Sequence, residues 1–404
     1  MGISIKVLDC DGLCGSCYEN KIRQKSKKRG YDIEAICRTL DSELAKIQEK
    51  ELPGRAIPCL HGGEPLLIQL DDMERLLKII FAKFGRTSIQ TNGLSMTDAH
   101  IDLFVKYKTG VGFSLDGDTV ELNRGRWNAA EVPREVVVEG TETVLRNMRK
   151  CLAVGVSISL IVVLRKWNAS SEALPELRRF LFRMRDEFKV VSVRTNEGIV
   201  YGDSREEELT EEELGNALVE LAEACFADPS LQWNPYREVV NAFMGKNSFS
   251  CWFTECDVWK TTAEIPIDRN GVIGNCLKGG AAVDGIQIPA AQFKGRERYE
   301  ALKNVPKEYG GCAGCRYWVV CKGGCPGEGI GNDWRNRTRF CKGYYRLFEH
   351  VERKLKGLMP DVKLATETPE KTEKEFCGHG DSHTDEHGDR AHGDHTDGGN
   401  HEPR

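Results

Sequence analysis

No run of 18 apolar residues occurs anywhere in the 404-residue chain, so a membrane-spanning helix is not expected. The opening, MGISIKVLDCDG, has neither the charged start nor the apolar stretch of a secretory signal. The chain therefore reads as cytoplasmic, with no membrane partner, in a compartment where disulfides are disfavoured. A basic stripe interleaved with aromatics is also missing, which sets nucleic acid aside as a partner. Net charge is −5, but residues 361 to 404 hold 5 Lys and Arg against 12 Asp and Glu, or −7, leaving +2 for the first 360. The body is near neutral.

What the chain has in excess is cysteine. Its 16 cysteines bunch, three within residues 10 to 17 and eight between 251 and 341. A chain this long can build a hydrophobic core without disulfide staples, so clustered thiols point to bound zinc or to iron and sulfur.

From the start to about residue 205, short apolar runs alternate with amphipathic helical stretches, the pattern of repeated βα units around a parallel sheet. The expected strands are ISIKVLD, AIPCLHG, SIQTNG, VGFSLDG, SISLIVVL and VVSVRTN. In such a fold the loops after the C-terminal strand ends meet on one face, where ligands bind. Here those loops are Cys10 to Cys17, HGGEP, TNG and SLDG. Residues 206–250 read as a helical connector, with Thr210 and Glu213 placed as a capping pair. Residues 251–355 turn to Cys, Gly and short segments, a second, metal-organised domain. Residues 356–404 end in a low-complexity His/Asp/Gly tail that cannot bury enough surface to order. Its histidines, His379, His383, His387, His392, His395 and His401, could take nickel, zinc or copper.

Cys10, Cys14 and Cys17 form C-x3-C-x2-C. Three thiols cannot pair among themselves, and a structural zinc site wants four ligands, yet no further Cys or His follows until Cys37 or His61. An iron-sulfur cube on three thiolates keeps one iron open for a small molecule. The sequence at this point resembles the radical S-adenosylmethionine (SAM) enzymes, whose defining motif is C-x3-C-x2-C after the first strand of a partial (β/α)6 barrel. The resemblance implies that the open iron chelates the amino and carboxylate groups of SAM, whose reductive cleavage yields a 5'-deoxyadenosyl radical. Gly62, Gly63, Glu64 and Pro65 match the family's GGEP motif; glycines let backbone approach the ligand, and the carboxylate can pair with its ammonium group. Ser114 in SLDG falls where related enzymes contact the SAM ribose, and Arg126 where they carry a SAM-contacting arginine, although LNRGRW around it departs from the usual pattern. Ser16 departs too, standing at an often aromatic position, with Tyr18 just beyond it.

The C-terminal set reads Cys251, Cys256 and Cys276, then Cys312, Cys315, Cys321 and Cys325, then Cys341. Eight thiols suit two fully ligated cubanes, and spacing alone leaves two zinc sites equally open. The arrangement looks like the SPASM extension of radical SAM enzymes, with Gly271 before Cys276 as in its C-x9-15-G-x4-C segment. That resemblance implies auxiliary cluster I on Cys251, Cys256, Cys276 and Cys325, and auxiliary cluster II on Cys312, Cys315, Cys321 and Cys341. With the SAM-binding cluster this makes three [4Fe-4S] clusters, served by a low-potential donor such as flavodoxin or ferredoxin. Cys37, Cys59, Cys151, Cys225 and Cys377 remain, and Cys59 stands close to the expected mouth.

Enzymes of this layout mostly modify peptides, so a peptide or protein substrate is expected. The anaerobic sulfatase-maturing enzymes share the cysteine set but carry an aspartate base where this chain has Leu277, which argues against formylglycine formation. Nine residues ahead of Cys10 cannot form a leader-binding domain, so a separate leader-binding protein or the barrel and SPASM surfaces would recognise a precursor. No segment reads as a cobalamin domain, which disfavours B12-dependent methylation. Small-molecule cofactor biosynthesis is the alternative; an electron carrier would leave GGEP and SLDG without purpose.

Overall fold

The computed structural model describes residues 2–7, 9–12, 14, 17, 30–52, 56–127, 132–198, 207–246, 264–274, 276 and 297–367. Strand β5 (Ile158–Leu164) shows why the chain makes a sheet. Ile158, Leu160, Val162 and Leu164 are buried, while Ser159, Ile161 and Val163 are half-buried. One face packs beneath helices and the other looks into a hollow. The same alternation places Thr87, Ile89 and Thr91 of β3 (Thr87–Thr91) on the packed side.

Strands β1 (Gly2–Ile5), β2 (Cys59–Leu60), β3, β4 (Thr109–Ser114), β5 and β6 (Val193–Glu197) are parallel neighbours in chain order. Register aligns Ile5, Leu60, Ile89, Val111 and Ile158 in one row, each no more than 1% exposed. Burying five such side chains contributes about 1.5–3 kcal/mol apiece. The crossover helices are α1 (Ile33–Ala45), α2 (Leu70–Phe84), α3 (Asp98–Lys106), α4 (Arg134–Ala153) and α5 (Leu174–Asp186). Each presents an apolar stripe at helical spacing, as Met73, Leu76, Leu77 and Ile80 do on α2.

The six expected strands are present, and two more extend the sheet into an eight-stranded half-barrel of order β7-β6-β5-β4-β3-β2-β1-β8. Strand β7 (Trp233–Asn234) comes from the connector and joins β6. Strand β8 (Glu264–Ile267) comes from beyond the connector and runs parallel to β1. Pro266 is tolerated there because β8 lies at the edge of the sheet.

The connector segment also supplies α6 (Glu211–Ala227), opened by the expected Thr210–Glu213 capping box, and α7 (Tyr236–Phe243). The cysteine-rich part contributes α8 (Glu297–Asn304) and α9 (Cys341–Leu358). Leu347, Phe348, Val351 and Leu355 of α9 share one core with Leu214, Leu218 and Leu221 of α6 and with the barrel. Residues 1–368 form one compact unit. A second unit, residues 369–404 with the tail histidines and Cys377, lies outside the described residues. Among the described residues no helix is long and apolar enough to cross a membrane.

Candidate active site

The loops after β1, β2, β3 and β4 meet at one end of the sheet, and the first two lock to one another through backbone. Val7 N–H donates to the Gly62 carbonyl at 2.9 Å, His61 N–H to Ile5 at 2.7 Å and Glu64 N–H to Asp9 at 2.7 Å. Gly62 and Gly63 hold φ of 85° and 62°. A Cβ on Gly63 would lie 1.8 Å from the Val7 carbonyl oxygen, so only glycine lets the two loops touch. GGEP thus seats the chain entering Cys10.

Glu64 is 1% exposed. Its carboxylate accepts from Leu66 N–H at 3.0 Å, the Thr91 hydroxyl at 2.6 Å and Asn92 N–H at 2.7 Å, tying the β2 loop to the β3 loop. Asn92 continues the chain of contacts, donating from Nδ2 to Asp11 at 2.6 Å, and Ser95 donates to the other Asp11 oxygen at 2.5 Å. Asp11 lies inside the cysteine loop, which is thereby clamped onto the β3 loop. Gly12 N–H donates to Cys10 Sγ at 3.2 Å, and Cys17 N–H to the Cys14 carbonyl at 3.2 Å. An ideal Cβ on Gly12 would lie 3.3 Å from Cys10 Sγ and 3.8 Å from Cys14 Sγ. The two thiols flank one glycine.

On the next strand, Ser114 Oγ accepts from Gln90 Nε2 at 2.9 Å. Arg126 Nη2 donates to Asp116 Oδ1 at 2.7 Å and to the Ile161 carbonyl at 3.2 Å, and its guanidinium is also within hydrogen-bonding reach of the Cys14 thiol. A predicted SAM contact therefore touches a predicted cluster ligand. Cys59 does not belong to this mouth. It lies in register with Ser4 and Ser88, the latter donating to it at 3.6 Å, and burial pushes its thiol up to about 11.

A second thiol site stands in the cysteine-rich part. Cys312, Cys315, Cys321 and Cys341 line one cavity, floored by Trp318 and Phe348. A turn joins the first two, with Cys315 N–H on the Cys312 carbonyl at 3.0 Å. Cys321 ends the short helix Trp318–Cys321, stopped by Lys322, Gly323 and Gly324 at positive φ, and Cys341 opens α9. Burial first, then the neighbouring thiols Cys315 and Cys341, push Cys312 up to about 12. Burial and the same crowding raise Cys321 as well. Cys312 and Cys321 can ionise beside these neighbours only against added positive charge. Among the described residues no three Cys, His, Asp or Glu side chains converge tightly enough to hold a single metal ion. Four thiols on the walls of one cavity could instead hold a cluster whose irons take one thiolate each. Cys325 is buried at the Pro326 turn and does not line this cavity. Cys276 is described and half-buried; Cys251, Cys256 and Leu277 lie outside the described residues.

Residues 5–181 match the Radical SAM superfamily. The chain carries a radical SAM domain. Native anSMEcpe with bound AdoMet superposes with a TM-score of 0.68 at 17% identity, covering 90% of this chain and 100% of that one. AnSMEcpe with AdoMet and the Cp18Cys peptide gives 0.65 at 17%, over 90% and 99%. SuiB of Streptococcus suis bound to its precursor peptide SuiA gives 0.55 at 16%, over 84% and 75%. At these identities the likeness is one of fold. Comparison with curated proteins gave no match.

The radical SAM domain and the segment after it hold residues that no motif announced. Asp11 and Ser95 are one clamp. Arg298, 1% exposed, is another: Nε donates to the Trp334 carbonyl at 2.8 Å and Nη2 to Gly324 and Asn336 at 3.2 Å, pinning the loop after Cys321. For Asp11 the only signal was its place inside the cysteine motif; Arg298 had none.

Glu64 makes the radical SAM mouth sensitive to pH. Burial outweighs its three donors and pushes its carboxyl from 4.5 up to about 7. The folded chain then holds this proton more tightly than the unfolded one. That stabilisation, about 3 kcal/mol by linkage, is complete below pH 4.5 and is lost as pH rises through about 7. Glu64→Gln is expected to flatten this part of the Tm-against-pH curve of the SAM-free protein. Parallel curves for the two proteins would contradict the assignment.

Proposed function

We propose that the chain is a radical SAM enzyme of the SPASM type that modifies a peptide or protein substrate. Residues 1–205 supply six strands of the catalytic barrel, the connector 206–250 adds β7, and 251–355 is the SPASM domain, which lends β8 to the same sheet; 356–404 stands outside the chemistry, although α9 runs on to Leu358 and Leu364 packs into the core. Cys10, Cys14 and Cys17 hold the SAM-binding [4Fe-4S] cluster. Cys251, Cys256, Cys276 and Cys325 hold auxiliary cluster I, and Cys312, Cys315, Cys321 and Cys341 auxiliary cluster II. The observation that carries the SPASM reading is the four-thiol cavity. It gathers Cys312, Cys315, Cys321 and Cys341 and leaves Cys325 aside, the division of ligands that the SPASM pattern requires and that a tandem of sequence-adjacent zinc knuckles would not produce.

Bound SAM and its reduced cluster supply a 5'-deoxyadenosyl radical that takes a hydrogen atom from the substrate. The chain's own residues prepare the place for it. Gly62 and Gly63 bring backbone to the ligand, and Glu64, whose desolvated carboxyl gains from a cationic neighbour, receives the SAM ammonium group. Ser114 takes the ribose. Arg126, already fixed by Asp116, holds its charge beside Cys14. The low-potential electrons come from a flavodoxin or ferredoxin, and Leu277 leaves the chain without the aspartate that formylglycine formation would use. The likeness of fold to two proteins solved with peptides bound supports a peptide substrate.

The substrate class can be tested before the substrate is known. The reduced enzyme is incubated with unlabelled SAM and either a peptide digest or a small-metabolite extract from cells grown in deuterated medium. Deuterium in 5'-deoxyadenosine from the peptide fraction is expected. Deuterium from the metabolite fraction alone would replace this reading with cofactor biosynthesis.

A further inference from the structure

Arg165 follows β5 directly at the end of the sheet where the cysteine loop and GGEP meet, and it is 1% exposed. Counting along β5 in steps of two from Ser159, Ile161 and Val163, it falls on the hollow side of the sheet. Nε, Nη1 and Nη2 are all buried without a hydrogen-bond partner among the described residues. The nearest carboxylate is that of Glu207, 3.5 Å from Nη1 on a side chain 40% exposed, and the Trp167 ring lies under the guanidinium at 5.2 Å. Gly198, just past β6, closes over it so tightly that a Cβ there would lie 2.5 Å from Nε. Asp116, whose charge reaches Arg165, is already committed to Arg126 and to Val163 N–H.

Other buried arginines are treated differently. Arg126 has Asp116 and the Ile161 carbonyl, and Arg298 has a ring of carbonyls. A buried guanidinium whose one close carboxylate stands at 3.5 Å and makes no hydrogen bond to it is costly, and what relieves that cost is a ligand offering two coplanar oxygens. Position narrows the ligand. The cysteine loop, Gly62 to Glu64, Asn92 and Ser114 occupy the β1 to β4 half of the mouth, whereas Arg165 stands on the β5 and β6 half. We infer that Arg165 is a carboxylate-binding residue on the substrate side of the mouth, and that it takes an acidic side chain of the substrate. This rests on the peptide reading above.

The test uses the SAM-loaded holoenzyme, the Arg165→Gln variant, and three probes: the peptide Ac-Gly-Ala-Glu-Ala-Gly-NH2, its glutamine counterpart and glutarate. The glutamate peptide is expected to raise the Tm of the wild type and the glutamine peptide to leave it unchanged. Arg165→Gln should bind the glutamate peptide about tenfold more weakly or worse while keeping the SAM Kd of the wild type. Without ligand the variant should melt higher than the wild type, since it sheds an unpaired buried charge. Several results would overturn the inference: equal binding of both peptides by both proteins, no response of the wild type to any probe, weakened SAM binding in the variant, or a lower ligand-free Tm matched by Glu207→Gln, which would make Glu207 the partner. A response to glutarate and to neither peptide, lost in Arg165→Gln, would keep the carboxylate site and overturn the peptide reading instead.

Discussion

Cys14→Ala is expected to reduce 5'-deoxyadenosine formation to background while leaving about eight of about twelve irons in the chain. Three thiolates are the fewest that hold a cube with one open iron, and this substitution leaves two. The same thiol stands against Gly12 on one side and the Arg126 guanidinium on the other, and neither of these can ligate iron in its place. Cys321→Ala supplies the opposite loss. It removes one wall of the second thiol cavity and should cost about four irons while the cluster at Cys10, Cys14 and Cys17 still cleaves SAM. Iron per chain and chromatography of 5'-deoxyadenosine check both. Equal losses in the two variants would mean that the clusters are not separate sites.

Gly63→Ala is expected to be the most damaging single-methyl change at the mouth. The new Cβ would meet the Val7 carbonyl oxygen at 1.8 Å and that of Asp9 at 2.4 Å, and both are backbone atoms of the segment entering Cys10. Positive φ costs an alanine about 1–2 kcal/mol, and the overlap forces the β1 and β2 loops apart, for a combined loss above about 4 kcal/mol. Gly85 is the control. It ends α2 at φ 67°, but a Cβ there meets nothing within 4 Å, so Gly85→Ala should cost only the backbone penalty of about 1 kcal/mol. Thermal melts of the metal-free proteins separate the two. Similar melting points would show that the contact of GGEP with the cysteine loop is not what holds the mouth.

Much of this mouth is legible in the sequence itself. The alternation of ISLIVVL with LPELRRFLFRMRDEF announces strand and helix through their periods, and Cys10, Cys14, Cys17 and Gly63 follow strand ends because ligand loops do so in parallel sheets. The edge strands are not legible. Trp233–Asn234 is too short to show a period, and Pro266 makes EIPI read as a break rather than a strand. GGEP marks Glu64 as a carboxylate near the ligand, but its three donors come from Leu66, Thr91 and Asn92, and two of these lie on another strand and its loop. Asp11 with Ser95, and Arg298 with its ring of carbonyls, escape for the same reason. Contacts between distant segments leave no mark on local spacing.

The central claim is that one radical-generating cluster and two auxiliary clusters share this chain, and metal analysis tests it most directly. The protein, reconstituted without oxygen, is assayed for iron, sulfide and zinc and then for SAM cleavage after reduction. About twelve irons and as much sulfide per chain, no zinc, and 5'-deoxyadenosine on reduction are predicted. About four irons with zinc making up the remainder would contradict the claim, because the cavity of Cys312, Cys315, Cys321 and Cys341 would then be a structural zinc site.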